Sequence, residues 1–118
     1  MKPKYCSMTR TAKKFLFDIS NSIENIFIHH LNGLQDEHEF DQNITAIRAV
    51  EREFGIIGGA AKNLHRIGIE LTNYDKLINR RNTLVHEYDS MKTRTLWQYI
   101  QYELPDLKLE VENMLEEK

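Results

Sequence analysis

One cysteine, two prolines and five glycines among 118 residues set the first limits on this chain. Cys6 is the single cysteine, so no intrachain disulfide is available, and no group of cysteines and histidines has the spacing of a zinc site. A disulfide scaffold and a structural metal are both excluded. The scarcity of helix breakers argues against a disordered or loop-dominated chain. No apolar run approaches the ~20 residues that span a bilayer, and the charged N-terminus is not followed by the apolar stretch of a secretion signal. A cytoplasmic protein without a membrane partner is expected. A net charge of −2 and a pI near 6.2 count against a broad basic coat for wrapping nucleic acid. Any contact with a polyanion has to be local. No glycine-rich fingerprint has the spacing of a nucleotide-binding loop, so no cofactor is expected.

What the chain does have is helical periodicity. After an irregular lead-in over 1–8, the apolar positions Phe15 or Leu16, Ile19, Ile23, Ile26 or Phe27 and His30 or Leu31 recur at three- and four-residue steps. They predict a long helix from Thr9 to Leu31, ended by Gly33. Phe17 and Ile28 lie off that stripe, which leaves either a deeper core or a partner surface on the same helix. Leu34 to Phe40 reads as a loop. Asp41 is the expected cap of a second helix carrying Ile44, Ile47, Val50, Phe54, Ile57, Ala61 and Leu64, and Gly55, Gly58 and Gly59 within it call for the close approach of another helix. A third helix is expected from Asp75 to Tyr88. Thr93 would cap a fourth, whose stripe Leu96, Ile100, Leu104, Leu107, Val111 and Met114 continues through a kink at Pro105. Trp97, Tyr99 and Tyr102 are expected to pack, and His29, His30, His38 and His65 to lie at the surface or its boundary. The sum is an all-α, antiparallel, up-and-down bundle of four principal helices in a single domain over 1–118.

Chemistry concentrates in Arg81-Asn82-Thr83-Leu84-Val85-His86-Glu87-Tyr88. At about 100° per residue, Asn82 and His86 share a helix face with Arg81 beside them. Imidazole exchanges protons near neutrality, while guanidinium offers a fork of donors to phosphate oxygens. A base next to a phosphate clamp suits phosphodiester chemistry. In RNA the 2′-hydroxyl is an internal nucleophile, so such a pair needs no metal. Arg80 and Lys76 are further candidate phosphate contacts. Arginine and histidine near a helix C-terminus also neutralise its dipole, and on spacing alone that structural explanation stands first.

The segment Arg81-x4-His86-x-Tyr88, with Asn82 directly after the arginine, resembles the signature of the HepT-like branch of the HEPN superfamily. The resemblance extends along the chain. Phe15-Leu16-Phe17-Asp18-Ile19, Phe54-Gly55-Ile56-Ile57-Gly58-Gly59-Ala60-Ala61, Leu96-Trp97 and Leu104-Pro105-Asp106-Leu107 are similar to the family's other helices, in the same order. One departure stands out: the family's usual acidic residue in Ile-Gly-Glu-Ala is Gly59 here. Arg80, with five residues between it and His86, also fits the wider superfamily spacing, but Asn82 favours Arg81.

The resemblance implies a homodimeric endoribonuclease, the toxin of a toxin–antitoxin pair. Arg81 would stabilise the phosphate, His86 would act as general acid and base, and Asn82 would position one of them. Tyr88 would be the residue to which a nucleotidyltransferase antitoxin attaches AMP. The alternative is a non-catalytic accessory subunit that holds a substrate or nucleotide for a nucleotidyltransferase. RNA and the nucleotidyltransferase are the expected partners.

Overall fold

The computed structural model describes residues 9–79 and 90–116, with side chains from Thr93 onward in the second stretch. Helices account for nearly all of it, and no strand occurs among the described residues. The first helix, α1, is Arg10–Glu24. Thr9 is extended and its hydroxyl accepts from the Ala12 amide at 3.1 Å, satisfying one of the donors a helix start leaves unpaired. Leu16, Ile19, Ile23 and Ile26 are completely buried along one side. The helix does not run straight to Leu31. Over Asn25–His30 it widens into a π-helix, closed by the Leu31 amide bonding the Ile26 carbonyl at 2.9 Å. That five-residue step settles the register left open by spacing: Ile26 and Leu31 face inward, whereas Phe27 is exposed and His30 half-buried. Gly33, at φ +86°, then turns the chain away. Phe17 and Ile28 are each 55% exposed, so they do not deepen the core.

The expected loop from Leu34 to Phe40 contains a short helix instead, α2, Glu37–Asp41. Asp36 caps it by accepting from the Glu39 amide at 2.9 Å, and the Glu39 carboxylate reaches back to the Gln35 amide at 2.9 Å. This reciprocal arrangement stabilises a turn too short for a periodic stripe. Asp41 therefore ends α2 rather than starting the next helix. Asn43 caps α3, Ile44–Arg66, through its bond from the Ala46 amide at 3.0 Å. At the far end, the Ile69 amide bonds Leu64 and the Gly68 amide bonds His65, the paired pattern that a left-handed residue allows. Gly68 supplies it at φ +90°.

At Gly55 and Gly59 the described structure does not show the close helix crossing that was expected. A Cβ added at Gly55 or Gly59 would meet nothing within 4 Å. Gly58 is buried.

A helix α4 starts at 74, with the Leu77 amide bonded to the Asn73 carbonyl, and is described to 79. Leu77 is its buried contact with the core. The fourth predicted helix is two, α5, Ser90–Tyr102, and α6, Leu104–Glu116, separated at Glu103 next to Pro105. Proline has no amide to donate to residue 101, so the ladder breaks for one residue while the stripe from Leu96 to Met114 stays buried throughout. Thr93 does not cap; it lies three residues before Leu96 on the core-facing side of α5 and is buried there. Trp97 packs on Phe40 of α2 and Tyr99 on Phe54 of α3, at ring distances of 5.5 and 6.1 Å. Tyr102, in contrast, is 76% exposed. The whole is a helical bundle in which α1 lies against both α3 and α6.

Two substitutions separate the kinds of glycine. Gly55→Ala, in open space at an ordinary helical position, should stabilise the fold by about 0.5–1 kcal/mol. Gly68→Ala should destabilise it by about 1–2 kcal/mol, because a Cβ disfavours the left-handed conformation. Urea unfolding followed by circular dichroism reads both.

Candidate active site

The predicted site divides at residue 79. Arg80, Arg81, Asn82, His86 and Tyr88, the set expected to carry the chemistry, lie outside the described residues. Lys76 is described: it is exposed on α4, one residue before the buried Leu77. Its ammonium is thus held on the solvent side of the helix that leads into the motif.

The lead-in to α4 is fixed by a small set of contacts. His65, in the last turn of α3, stacks face to face on Tyr74 at 4.4 Å with the rings 9° from parallel. Its Nδ1 lies 3.0 Å from Glu70 Oε1. Thr72 donates both its amide and its hydroxyl to Glu110 Oε2 of α6, each at 2.9 Å. These bonds tie the α3–α4 connection to both flanking helices. His65 is exposed, as expected, and the turn made by Gly68 brings Glu70 and Tyr74 back onto it.

Beside this connection lies an open cleft of about 450 Å³ between the start of α4 and α6. Leu77, Leu107 and Leu109 form its apolar part, and Glu103, Asp106 and Glu110 contribute carboxylates. Three acids make it a poor place for a phosphate. Among the described residues no group of three or more histidine, cysteine, aspartate or glutamate side chains is arranged to hold a metal. No helix among them is long and apolar enough to cross a membrane.

A second polar feature lies inside the bundle. His30 Nε2 is 2.7 Å from Glu53 Oε2, and Glu53 is only 6% exposed. A carboxylate only accepts, so Nε2 is the ring nitrogen that carries the proton. His30, expected to be an isolated surface or boundary residue, is therefore the partner of a buried acid. A sequence signal for this existed on the other helix. On the helical repeat Glu53 falls between Ala46 and Ala60, both buried, so a carboxylate is forced onto the core face of α3 and needs a donor. The π-helix presents His30 to it.

Comparison with known proteins decides the family. The family model described as "Ribonuclease HepT-like" matches residues 19–114. The chain belongs to the HepT-like ribonuclease family. Among its relatives, "Putative RNase MJ1216" of Methanocaldococcus jannaschii is 30% identical over 111 residues, covering 92% of this chain and 90% of the relative. "Putative RNase MJ0125" of the same organism is 29% identical over 111 residues, covering 92% and 94%. "Probable ribonuclease HepT" of Thermococcus cleftensis is 29% identical over 113 residues, covering 91% and 98%. No solved structure matches this chain.

The HepT-like match starts at Ile19, within the buried stripe of α1, and ends at Met114, the last buried residue of α6. It therefore takes in the bundle that carries α4 and the whole of Arg81 to Tyr88. The departure at Gly59 is on the surface side: the residue is half-exposed, with open space where a side chain would be.

The buried pair gives a stability test. Glu53→Ala leaves the His30 donor facing an apolar gap and should cost about 2–3 kcal/mol, below the range for a fully buried pair because His30 keeps some water access. Glu53→Gln keeps an acceptor for Nε2–H and should cost about 1 kcal/mol or less. Guanidinium unfolding of the three proteins checks the order.

Proposed function

We propose that this chain is a metal-independent endoribonuclease and the toxin of a two-protein system. The observation that carries the proposal is the HepT-like ribonuclease match over residues 19–114, which spans the arginine–histidine–tyrosine segment. The sequence supplies the chemistry the family name requires. His86 takes the proton from a 2′-hydroxyl, the freed oxygen attacks the adjacent phosphorus, and the bond to the 5′-oxygen breaks as that oxygen is protonated. Arg81 balances the charge that builds on the non-bridging oxygens, and Asn82 holds the imidazole or the phosphate. Lys76 and Arg80 add attraction for the strand. The products are a 2′,3′-cyclic phosphate and a 5′-hydroxyl.

Tyr88 is the proposed control point. A partner nucleotidyltransferase would transfer AMP from ATP to the phenol oxygen with release of pyrophosphate. The added phosphate brings a negative charge within seven residues of Arg81 and competes with the RNA phosphate for it. Pairing of two chains is the proposed active state. The exposed Phe17 and Ile28 on α1 are apolar surface that a second copy or the nucleotidyltransferase would cover.

Arg81→Ala and His86→Ala should each lower RNA cleavage by at least about 100-fold, the usual contribution of an acid–base or charge-stabilising group, with helicity unchanged. Intact mass measured with and without the co-expressed nucleotidyltransferase tests the control point. A gain of AMP units on Tyr88 with loss of cleavage supports the toxin role, and Tyr88→Phe should stay active in the partner's presence. A wild-type chain that never cuts RNA, yet binds the nucleotidyltransferase, would instead establish the accessory-subunit alternative.

A further inference from the structure

The solvent face of α3 carries a charge pattern that the motif does not account for. Arg48, Arg52, Gly55, Gly59, Lys62 and Arg66 follow one another at steps of four, three, four, three and four. By the helical repeat they fall within about 40° of a single line. The four cations are exposed, as is Gly55, and Gly59 is half-exposed. Among the described residues, Arg48, Arg52 and Lys62 have no ion-pair partner, and Arg66 meets only the neutral Asn63 side chain, at 3.4 Å. The acid nearest the line on this helix, Glu51, is displaced about 60° and half-buried. A protein of net charge −2 thus concentrates four unneutralised positive charges on one helix face.

The middle of that line is bare backbone. Among the described residues no atom lies within 4 Å of a Cβ built at Gly55 or Gly59, so no described neighbour accounts for two glycines in a helix interior. A surface without side chains, flanked by two cations at each end, lets an external polyanion lie close to the helix. From Arg48 to Arg66 the line runs about 27 Å, enough for several consecutive phosphates. Cations on long side chains that track a backbone, with no aromatic platform among them, give affinity without base preference.

Building on the ribonuclease reading above, we propose that the solvent face of α3 is a track for the RNA phosphate backbone. It holds the strand through Arg48, Arg52, Lys62 and Arg66, none of which belongs to the Arg81 to Tyr88 segment. Gly59 keeps the track free of the carboxylate that would otherwise stand at its centre.

Binding is measured separately from cleavage by fluorescence anisotropy with a 2′-O-methyl oligouridylate, which lacks the hydroxyl needed for cutting. Replacing the four cations by glutamine, at exposed positions that tolerate it, should weaken binding at least tenfold. It should also flatten the dependence of log Kd on log salt by about three, as expected for four lost phosphate contacts on a single strand. Independently, Gly59→Glu should weaken binding several-fold whereas Gly59→Ala should not. Unchanged affinity and salt slope in the four-fold variant, with cleavage of ordinary RNA retained by the wild type, would overturn the track alone. A wild-type chain that neither binds nor cuts RNA would overturn both the track and the ribonuclease proposal. A change of oligomeric state on removing the four charges, with RNA binding intact, would reassign the face to contact with a second copy and so overturn the track.

Discussion

Burial of α1 between α3 and α6 is the constraint on which the rest of the bundle depends. Leu16, Ile19, Ile23 and Ile26 are wholly withdrawn from water, and together their side chains contribute about 6–12 kcal/mol of hydrophobic stabilisation before the entropy of ordering is counted. Both neighbours pack on the same helix. The π-helix at Asn25–His30 keeps Ile26 and Leu31 inward at a five-residue step and, in doing so, sets His30 against Glu53. The break at Glu103 allows α5 to lie on α2 while α6 returns along α1.

The polar surface is divided in a way that suits an acidic protein with an anionic ligand. Carboxylates from Glu103, Asp106 and Glu110 gather at the cleft between α4 and α6, where one of them is spent holding Thr72. Cations line the free face of α3, and Lys76 projects from α4. Overall charge is therefore a poor guide to ligand preference here, because the field along one helix face differs in sign from the average.

Much of the fold was legible in the sequence because α1, α3 and the α5–α6 pair bury stripes with helical period. Every member of the series Leu96, Ile100, Leu104, Leu107, Val111 and Met114 is buried despite Pro105. What periodicity missed has specific causes. A helix of five residues has no stripe to read, although Asp36 followed three residues later by Glu39 was a capping signal in plain view. A π-turn changes the step locally, so the choice between Ile26 and Phe27 was beyond a fixed 3.6-residue repeat. The glycines of α3 were assigned to helix packing because that is the usual cause, and only the space around Gly55 and Gly59 shows that the cause differs. The candidate site rests on its motif alone: Arg81, Asn82, His86 and Tyr88, the proposed clamp, positioning amide, base and modifiable phenol, fall within eight residues of sequence. The His30–Glu53 pair escaped because its two halves belong to separate helices, joined only when α1 and α3 pack.

In the proposed reaction the RNA's own 2′-hydroxyl is the nucleophile, and the chemistry of the product ends tests it most directly. Purified protein is incubated in excess chelator with an RNA carrying ordinary ribose and, separately, with its 2′-O-methyl counterpart, and the fragments are analysed by mass. The account predicts cleavage of the first alone, leaving 2′,3′-cyclic phosphate and 5′-hydroxyl ends. Cleavage of the 2′-O-methyl strand, 5′-phosphate ends, or activity abolished by the chelator would contradict it.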